Sequence, residues 1–276
     1  MKVLVTGANG QLGYDVIKAL QKQKIECFGA TRNDFDITDS KATENFIRKY
    51  MPDVVIHCAA YTAVDKAEDE QDLCYKVNTS ATEGIAEICK KINAKMLYIS
   101  TDYVFDGAKE GFYEVKDKPN PINIYGKTKL LGEEAVQKTL DRYFIVRVSW
   151  VFGEHGNNFV KTMLRLGAER KVLNVVADQY GSPTYTADLA PLLVEMIKTE
   201  KYGIYHATNE GVCNWAEFAE KIFEVAKMDV KVNRITTSEY PTKAKRPLNS
   251  WLSKEKIQKN FYILPKWVDA LKRYIK

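Results

Sequence analysis

Short apolar runs alternate with helical stretches through the first half of the chain. The run Val3-Leu4-Val5 has the character of a buried strand, and from 11 to 21 apolar residues recur at helical spacing. The same alternation predicts strands at 26–29, 54–58, 95–100 and 143–148 and helices at 40–50, 72–92 and 125–140. This order is typical of parallel βαβ units and predicts an α/β fold with a doubly wound, Rossmann-type parallel sheet.

The pattern becomes less regular beyond residue 149. It predicts helices at 158–169, 187–198 and 215–226 and strands at 172–176 and 203–206. We therefore expect residues 1–149 to form a six-stranded dinucleotide-binding domain whose sheet the chain re-enters around 187–208. Residues 150–276 should form mainly a smaller C-terminal α+β lobe that binds the substrate.

Composition narrows the class of protein. Hydrophobic residues make up 45% and charged residues 28% of the 276 residues, which excludes a disordered chain. The net charge of +5 is spread along the sequence, and its nearest approach to a block, at Lys243, Lys245 and Arg246, has no interleaved aromatic residues. These features argue against a nucleic-acid partner and suit a small anionic ligand.

The number and spacing of the cysteines and histidines indicate the cellular compartment of the protein and whether it has a metal site. The five cysteines are odd in number and form no C-x-x-C pair, and the three histidines stand far apart. We expect reduced thiols in a cytoplasmic protein and no metal site. A leader sequence and a run of about 18 apolar residues are both missing, so we expect neither export nor a membrane partner.

A glycine-rich motif follows the first predicted strand. Gly7, Gly10 and Gly13 in TGANGQLG lie between that strand and an amphipathic helix. In this context glycines form a tight turn, let backbone N–H groups approach a pyrophosphate, and pack the helix on the strand. The motif therefore predicts binding of NAD or NADP.

The end of the second predicted strand bears on the choice of cofactor. An acidic residue at this place commonly binds the ribose hydroxyls of NAD, but the sequence here reads Gly29-Ala30-Thr31-Arg32. An arginine pairs well with a 2′-phosphate, which favours NADPH over NADH. The alternative interpretation is that Arg32 is a solvated surface residue.

Tyr125 and Lys129 form a Y-x-x-x-K pair on one face of a predicted helix. An ammonium beside a tyrosine lowers the tyrosine pKa, so that the hydroxyl can exchange a proton with a carbonyl oxygen. The spacing also occurs at Tyr14 and Tyr262, but only Tyr125 lies downstream of a strand that ends in hydroxyl residues. From that strand end, Thr101 could hydrogen-bond a developing oxyanion.

Several motifs together resemble the dTDP-4-dehydrorhamnose reductases, members of the extended short-chain dehydrogenase/reductase superfamily. They are TGANGQLG at 6–13, AAYTAVDKAE at 59–68, STDYVFDG at 100–107, YGKTK at 125–129, SWVFG at 149–153, GNNFVKTMLRL at 156–166, DQYGSPTYT at 178–186 and RPLNS at 246–250. The resemblance covers nearly the whole chain. It implies NAD(P)H-dependent reduction of the C4 keto group of dTDP-4-dehydro-L-rhamnose (dTDP-6-deoxy-L-lyxo-4-hexulose) to dTDP-L-rhamnose, the last step of dTDP-rhamnose biosynthesis.

The resemblance also assigns roles to individual residues. It implies that Thr101, Tyr125 and Lys129 are catalytic. The residues implied in cofactor binding, together with those that the motifs indicate, are Gly7, Gly10, Gln11, Leu12, Gly13, Arg32, Asp36, Ile37, Ala59, Ala60, Tyr61, Thr62, Tyr125 and Lys129. The residues implied in substrate binding are Val64, Asp65, Thr101, Asp102, Tyr125, Trp150 and Arg246.

Other interpretations of some residues stay open at this point. Trp150 could be a core aromatic residue, and Asp65 with Arg246 could form a surface ion pair. Some members of the family dimerise through a magnesium ion held by glutamates, but the corresponding N-terminal position here is Asp15. We therefore predict no metal, and a monomer or a homodimer.

Two other functions remain as alternatives. One is a reductase or epimerase of another nucleotide-linked 4-ketosugar, and the other is a non-catalytic, reductase-like regulatory subunit. The complete Thr101, Tyr125 and Lys129 set argues against the second. Reductases and epimerases of other nucleotide sugars share the glycine motif and Y-x-x-x-K, but they do not share the whole set of motifs that includes DQYGSPTYT and RPLNS.

Overall fold

The structure is a computed structural model that describes residues 1–276. Its strands are β1 (Lys2–Thr6), β2 (Glu26–Ala30), β3 (Val54–His57), β4 (Lys95–Thr101), β5 (Tyr143–Val148), β6 (Val151–Phe152), β7 (Val172–Val176), β8 (Tyr180–Gly181), β9 (Thr184–Tyr185), β10 (Gly203–His206), β11 (Cys213–Asn214) and β12 (Lys231–Ile235). Its α-helices are α1 (Gln11–Lys22), α2 (Ser40–Tyr50), α3 (Val64–Ala67), α4 (Gln71–Tyr75), α5 (Ala81–Lys91), α6 (Ile124–Thr139), α7 (Phe159–Glu169), α8 (Thr186–Ile197), α9 (Trp215–Val225), α10 (Glu255–Asn260) and α11 (Trp267–Ile275).

Six of the strands form one parallel sheet, in the order β10-β5-β4-β3-β1-β2. The predicted doubly wound α/β fold is therefore confirmed. The chain runs from β1 outward to β2 and then crosses to β3 on the other side of β1, so the direction of strand addition reverses at β1. A crevice opens at such a point, outside the carboxyl ends of the strands.

The sixth strand of the sheet comes from the second half of the chain. Gly203–His206 pairs with β5, in the register Gly203 to Phe144. Helix α8 packs on α1, and its apolar side chains belong to the same buried cluster as those of β1 and β5. The main sheet is thus completed by residues far beyond 149, and the division of the chain at that residue stays a prediction.

The rest of the second half has its own core. Parallel strands β7 and β12 pair with each other, and helices α7, α9 and α11 pack beside them around a third buried cluster. Asn214 and Glu217 close a reciprocal capping box at the start of α9, which fixes where this helix begins. No helix in the structure has the length and apolar character needed to cross a membrane.

The helix predicted at 72–92 is interrupted. Residues Lys76–Ser80 form a turn of π-helix between α4 and α5, a feature that apolar periodicity does not reveal. The turn presents the Asn78 side chain to the backbone of Tyr61, whose N–H it accepts at 2.8 Å and to whose carbonyl it donates at 3.2 Å. The segment from Ala59 to Thr62 is held in place by this contact.

Helix α6 begins one residue earlier than predicted, at Ile124. The Asn123 side chain caps it by accepting the N–H of Gly126 at 2.7 Å. A Cβ on Gly126 would lie 2.1 Å from the carbonyl oxygen of Tyr103, so only glycine lets the first turn approach the segment after β4 this closely. This packing places Tyr125 beside the end of β4.

Candidate active site

A cleft of about 670 Å³ lies over the carboxyl ends of the central strands. Most of the predicted site residues line it, namely Gly7, Gly10, Gln11, Leu12, Gly13, Arg32, Asp36, Ile37, Ala59, Ala60, Thr62, Val64, Thr101, Asp102, Tyr125, Lys129 and Trp150. Sequence reasoning missed other lining residues, among them Asn9, Thr31, Phe35, Thr38, Gly156, Asn157 and Trp215. The cleft therefore joins the glycine motif and the Y-x-x-x-K pair in one site.

The glycine motif forms a close-packed cradle at one end of the cleft. Gly7 has a φ of +68°, and a Cβ on it would lie 2.8 Å from the Ala59 backbone. A Cβ on Gly13 would lie 2.2 Å from the Gly7 carbonyl oxygen. Only glycine fits at both positions, and the turn before α1 carries no side chain at Gly7 or Gly10, which lets a pyrophosphate approach its backbone.

The acidic side chains of the loop after β2 are engaged in local hydrogen bonds, whereas the basic side chain Arg32 has no hydrogen bond or ion pair in the protein. The Asp34 carboxylate accepts the N–H and the hydroxyl of Thr31, at 2.8 and 2.9 Å. The Asp36 carboxylate accepts the N–H and the hydroxyl of Thr38, and these bonds lower the pKa of Asp36. Both acids thus bind their own loop, while Arg32 is exposed at the cleft.

Thr101, Tyr125 and Lys129 meet on the opposite wall of the cleft. Thr101 ends β4 and is buried, and its hydroxyl donates to Asp102 Oδ1 at 3.0 Å. Lys129 is also buried, and its ammonium donates to the Ile99 carbonyl at 2.7 Å and lies 4.0 Å from the centre of the Tyr98 ring. The carbonyl and the ring face fix this ammonium in a site that holds little water.

Burial shifts the pKa values of the Y-x-x-x-K pair in opposite senses. Desolvation lowers the pKa of Lys129 to about 7, against the effect of Glu133. Desolvation also raises the pKa of Tyr125 above its ordinary value, while contact with the Thr101 side chain acts in the opposite direction. Tyr125 therefore keeps its proton at neutral pH, as a proton donor must.

Asp102 carries a buried oxygen with no partner in the protein. Its Oδ1 accepts from Thr101, but its Oδ2 is buried without a hydrogen bond. Burial raises the pKa of Asp102 to about 6, and contact with Ser250 partly opposes the shift. Because an unsatisfied buried oxygen is costly, this atom is suited to accept a hydroxyl group of a ligand in the cleft.

Trp150 and Trp215 form a face-to-face pair with ring centroids 3.5 Å apart. Trp150 has a φ of +49°, which is a strained conformation for a bulky residue and is more common at functional sites than in cores. A Cβ on Gly181 would lie 2.6 Å from the Trp150 ring, so glycine is needed beneath it. Trp150 is thus a wall of the cleft rather than only a core aromatic residue.

Three predicted residues do not line the cleft. The Tyr61 hydroxyl donates to Glu70 at 2.6 Å. Asp65 and Arg246 form an ion pair at 2.6 Å, which is the alternative weighed from the sequence, and Arg246 also donates to the Ala244 carbonyl. Direct contact of these three side chains with a ligand stays a prediction.

Asp15 faces the interior of the chain. It is buried between α1 and α8 and accepts the Thr186 hydroxyl at 2.5 Å, and burial raises its pKa. The oligomeric state and the absence of a metal stay predictions. Of the histidines, His57 and His206 are buried, and His155 stacks on Tyr14 at the surface.

Comparisons with known proteins agree with this geometry. A family model described as the RmlD substrate binding domain matches residues 1–276. The chain is 44% identical to the dTDP-4-dehydrorhamnose reductase of Aggregatibacter actinomycetemcomitans, over 98% of this chain and 97% of that protein. It is 40% identical to the spore coat polysaccharide biosynthesis protein SpsK of Bacillus subtilis, over 99% and 96%.

A solved structure is similar over almost its full length. The dTDP-4-dehydrorhamnose reductase of Bacillus anthracis, determined in complex with NADP, superimposes with a TM-score of 0.96 at 44% identity, and 99% of each chain is covered. The cofactor of that enzyme agrees with the preference for NADPH inferred from the sequence. The resemblance described from the motifs is confirmed.

Proposed function

Because the chain belongs to the RmlD family of dTDP-4-dehydrorhamnose reductases, we propose that it reduces the C4 keto group of dTDP-4-dehydro-L-rhamnose with NADPH. The product is dTDP-L-rhamnose. One observation carries the proposal: Thr101, Tyr125 and Lys129 line the same cleft as the glycine cradle. A ketone held between them faces a proton donor on one side and the cofactor on the other.

The residues of the cleft fit a dinucleotide phosphate. Gly7, Gly10 and Gly13 leave space for the pyrophosphate, and Arg32 offers an unpaired guanidinium to a 2′-phosphate. Lys129 is expected to hold the nicotinamide ribose. When bound, NADPH supplies the hydride that is added to C4.

The chain's own residues manage the proton. Tyr125 donates its hydroxyl proton to the ketone oxygen, and Thr101 stabilises the developing negative charge on that oxygen. The Lys129 ammonium then stabilises the resulting tyrosinate. Because Lys129 is buried and bonded to the Ile99 carbonyl, its charge is weakly screened by water.

The sugar is expected to lie in the part of the cleft lined by Asp102, Trp150 and Val64. We assign its hydroxyl groups to Asp102, whose Oδ2 has no partner, and its apolar face to Trp150 and Val64. The five cysteines are all free thiols, which supports a cytoplasmic enzyme. We retain the prediction of a monomer or a homodimer, which sedimentation measurements decide.

The decisive assay follows NADPH oxidation with a panel of nucleotide-linked 4-ketosugars. We expect the highest kcat/KM with dTDP-4-dehydro-L-rhamnose and a product that comigrates with dTDP-L-rhamnose. Faster turnover of a ketosugar linked to another nucleotide would replace the substrate assignment. Binding of NADPH without turnover of any ketosugar would favour a regulatory subunit.

A further inference from the structure

A buried ionic cluster lies directly behind the Y-x-x-x-K pair. Glu133 follows Lys129 by one helical turn, so Tyr125, Lys129 and Glu133 lie along one face of α6. Glu133 is completely buried, and Arg147 on β5 donates to both of its carboxylate oxygens, at 2.8 and 2.6 Å. Ser100 on β4 donates to the same carboxylate at 2.5 Å.

The cluster ties together the elements that carry the catalytic groups. Ser100 immediately precedes Thr101 and pairs in register with Arg147. Glu133 on α6 is bonded to both, so one carboxylate joins the helix that bears Tyr125 and Lys129 to the strand that bears Thr101. An ion pair buried in this way is not a strong source of stability. Its place beside the site points to another role.

We propose that Glu133 is a positioning residue of the active site, which keeps Lys129 charged and in register with Thr101. Glu133 does not line the cleft. It acts through Lys129, to which it is the nearest acid on the helix. This inference goes beyond the proposed function, since the roles above concern only groups that line the cleft.

The other titratable groups near Lys129 supply little charge. Burial lowers the pKa of His57 to about 3 and raises that of Cys58 to about 12, so both are neutral near pH 7. Burial also raises the pKa values of Cys74, Tyr98 and Tyr125. Glu133 therefore provides the negative charge that opposes loss of the Lys129 proton. Lys129, Tyr98, Tyr143 and Arg147 are the titratable groups that face Glu133.

The principal test is Glu133→Gln, which keeps the shape of the side chain and removes its charge. Lys129 should then lose its proton more readily, and the pH at which kcat/KM falls on the alkaline side should move down by about one unit. Glu133→Asp keeps the charge, so its alkaline limb should stay at the wild-type position even where kcat falls. A merely structural role predicts no shift in either variant.

Glu134 supplies a matched control. It is the next residue of α6 but is exposed, so Glu134→Gln makes the same chemical change outside the cluster. Its pH profile should coincide with that of the wild type. Should Glu133→Gln fail to fold because Arg147 is left unpaired, the double variant Glu133→Gln/Arg147→Met removes both charges. Its alkaline limb should still move down, but by less than in Glu133→Gln, because loss of the Arg147 cation acts in the opposite direction.

Cofactor affinity gives a readout that does not depend on the substrate. The Kd for NADPH, measured by fluorescence titration across pH, should begin to rise at lower pH in Glu133→Gln than in the wild type. This result would support the role of Glu133 even if no ketosugar were turned over, so failure of the proposed function is distinguishable. Wild-type pH dependence of both Kd and kcat/KM in a folded variant that lacks the Glu133 charge would refute the proposal.

Discussion

Replacement of Tyr125 by phenylalanine removes one hydroxyl from the wall of the cleft and leaves the ring in place. The ring packs edge-on against Tyr103 at 5.8 Å, and this contact does not need the hydroxyl. We therefore expect normal folding and a Kd for NADPH within about twofold of wild type. A positioned general acid contributes roughly 10²- to 10⁴-fold to a rate. At 1.36 kcal/mol per factor of ten, the expected rise in the activation barrier is about 3–5 kcal/mol.

Stopped-flow measurement of NADPH oxidation with saturating ketosugar would give kcat for this variant, and fluorescence titration would give the Kd for NADPH. Tyr262→Phe is the matched control, because Tyr262 belongs to another Y-x-x-x-K match but is 40% exposed and away from the cleft. It should retain wild-type kcat. If Tyr125→Phe also retained wild-type kcat, the proton would come from another group, and the assignment of Tyr125 would be wrong.

Three further substitutions test the other walls of the site. Arg32→Ala should lower the ratio of kcat/KM for NADPH to that for NADH by roughly tenfold, since a charge-assisted bond to the 2′-phosphate is lost; an unchanged ratio would make Arg32 a surface residue. Gly13→Ala brings a Cβ within 2.2 Å of the Gly7 carbonyl oxygen, so the free energy of unfolding should fall by about 1–3 kcal/mol, as measured by thermal denaturation. An unshifted melting curve would contradict the close contact between Gly13 and Gly7. Lys129→Met removes the cation that favours tyrosinate and so raises the pKa of Tyr125. The rate of dTDP-L-rhamnose oxidation, which needs tyrosinate as base, should therefore reach its plateau at higher pH than in the wild type. Coincident pH profiles would show that the two residues are not coupled.

Much of the fold follows from local pattern. The strands at Tyr143–Val148 and Gly203–His206 and the helix at Ser40–Tyr50 have the predicted limits, because apolar runs and helical periodicity report directly which residues are buried. The π-helical turn at Lys76–Ser80 could not be predicted in this way. It depends on the tertiary contact between Asn78 and the Tyr61 backbone.

Some residues of the site could likewise be predicted from local sequence, and others could not. Gly7, Tyr125 and Thr101 belong to short motifs whose spacing carries their chemistry. Trp215 and Glu133 have no such signal, since the Trp150 ring and the Arg147 guanidinium that they contact are distant in sequence. Trp215 begins α9 after a capping asparagine, a pattern shared by many helices of no catalytic role.

The edge strand β10 lies about 60 residues after β5 in the sequence, and this affects how the sheet forms during translation. Until residue 206 has left the ribosome, β5 is an unpaired edge, and the apolar side of α1 lacks the α8 helix that covers it. Residues 1–149 therefore cannot complete this buried cluster until α8 and β10 have been synthesised. Many domains, by contrast, fold as soon as their own sequence has been made. A nascent chain that ends at residue 149 lacks the α8 side chains of one buried apolar cluster, whereas a chain that extends past His206 contains both α8 and β10 and can complete that cluster.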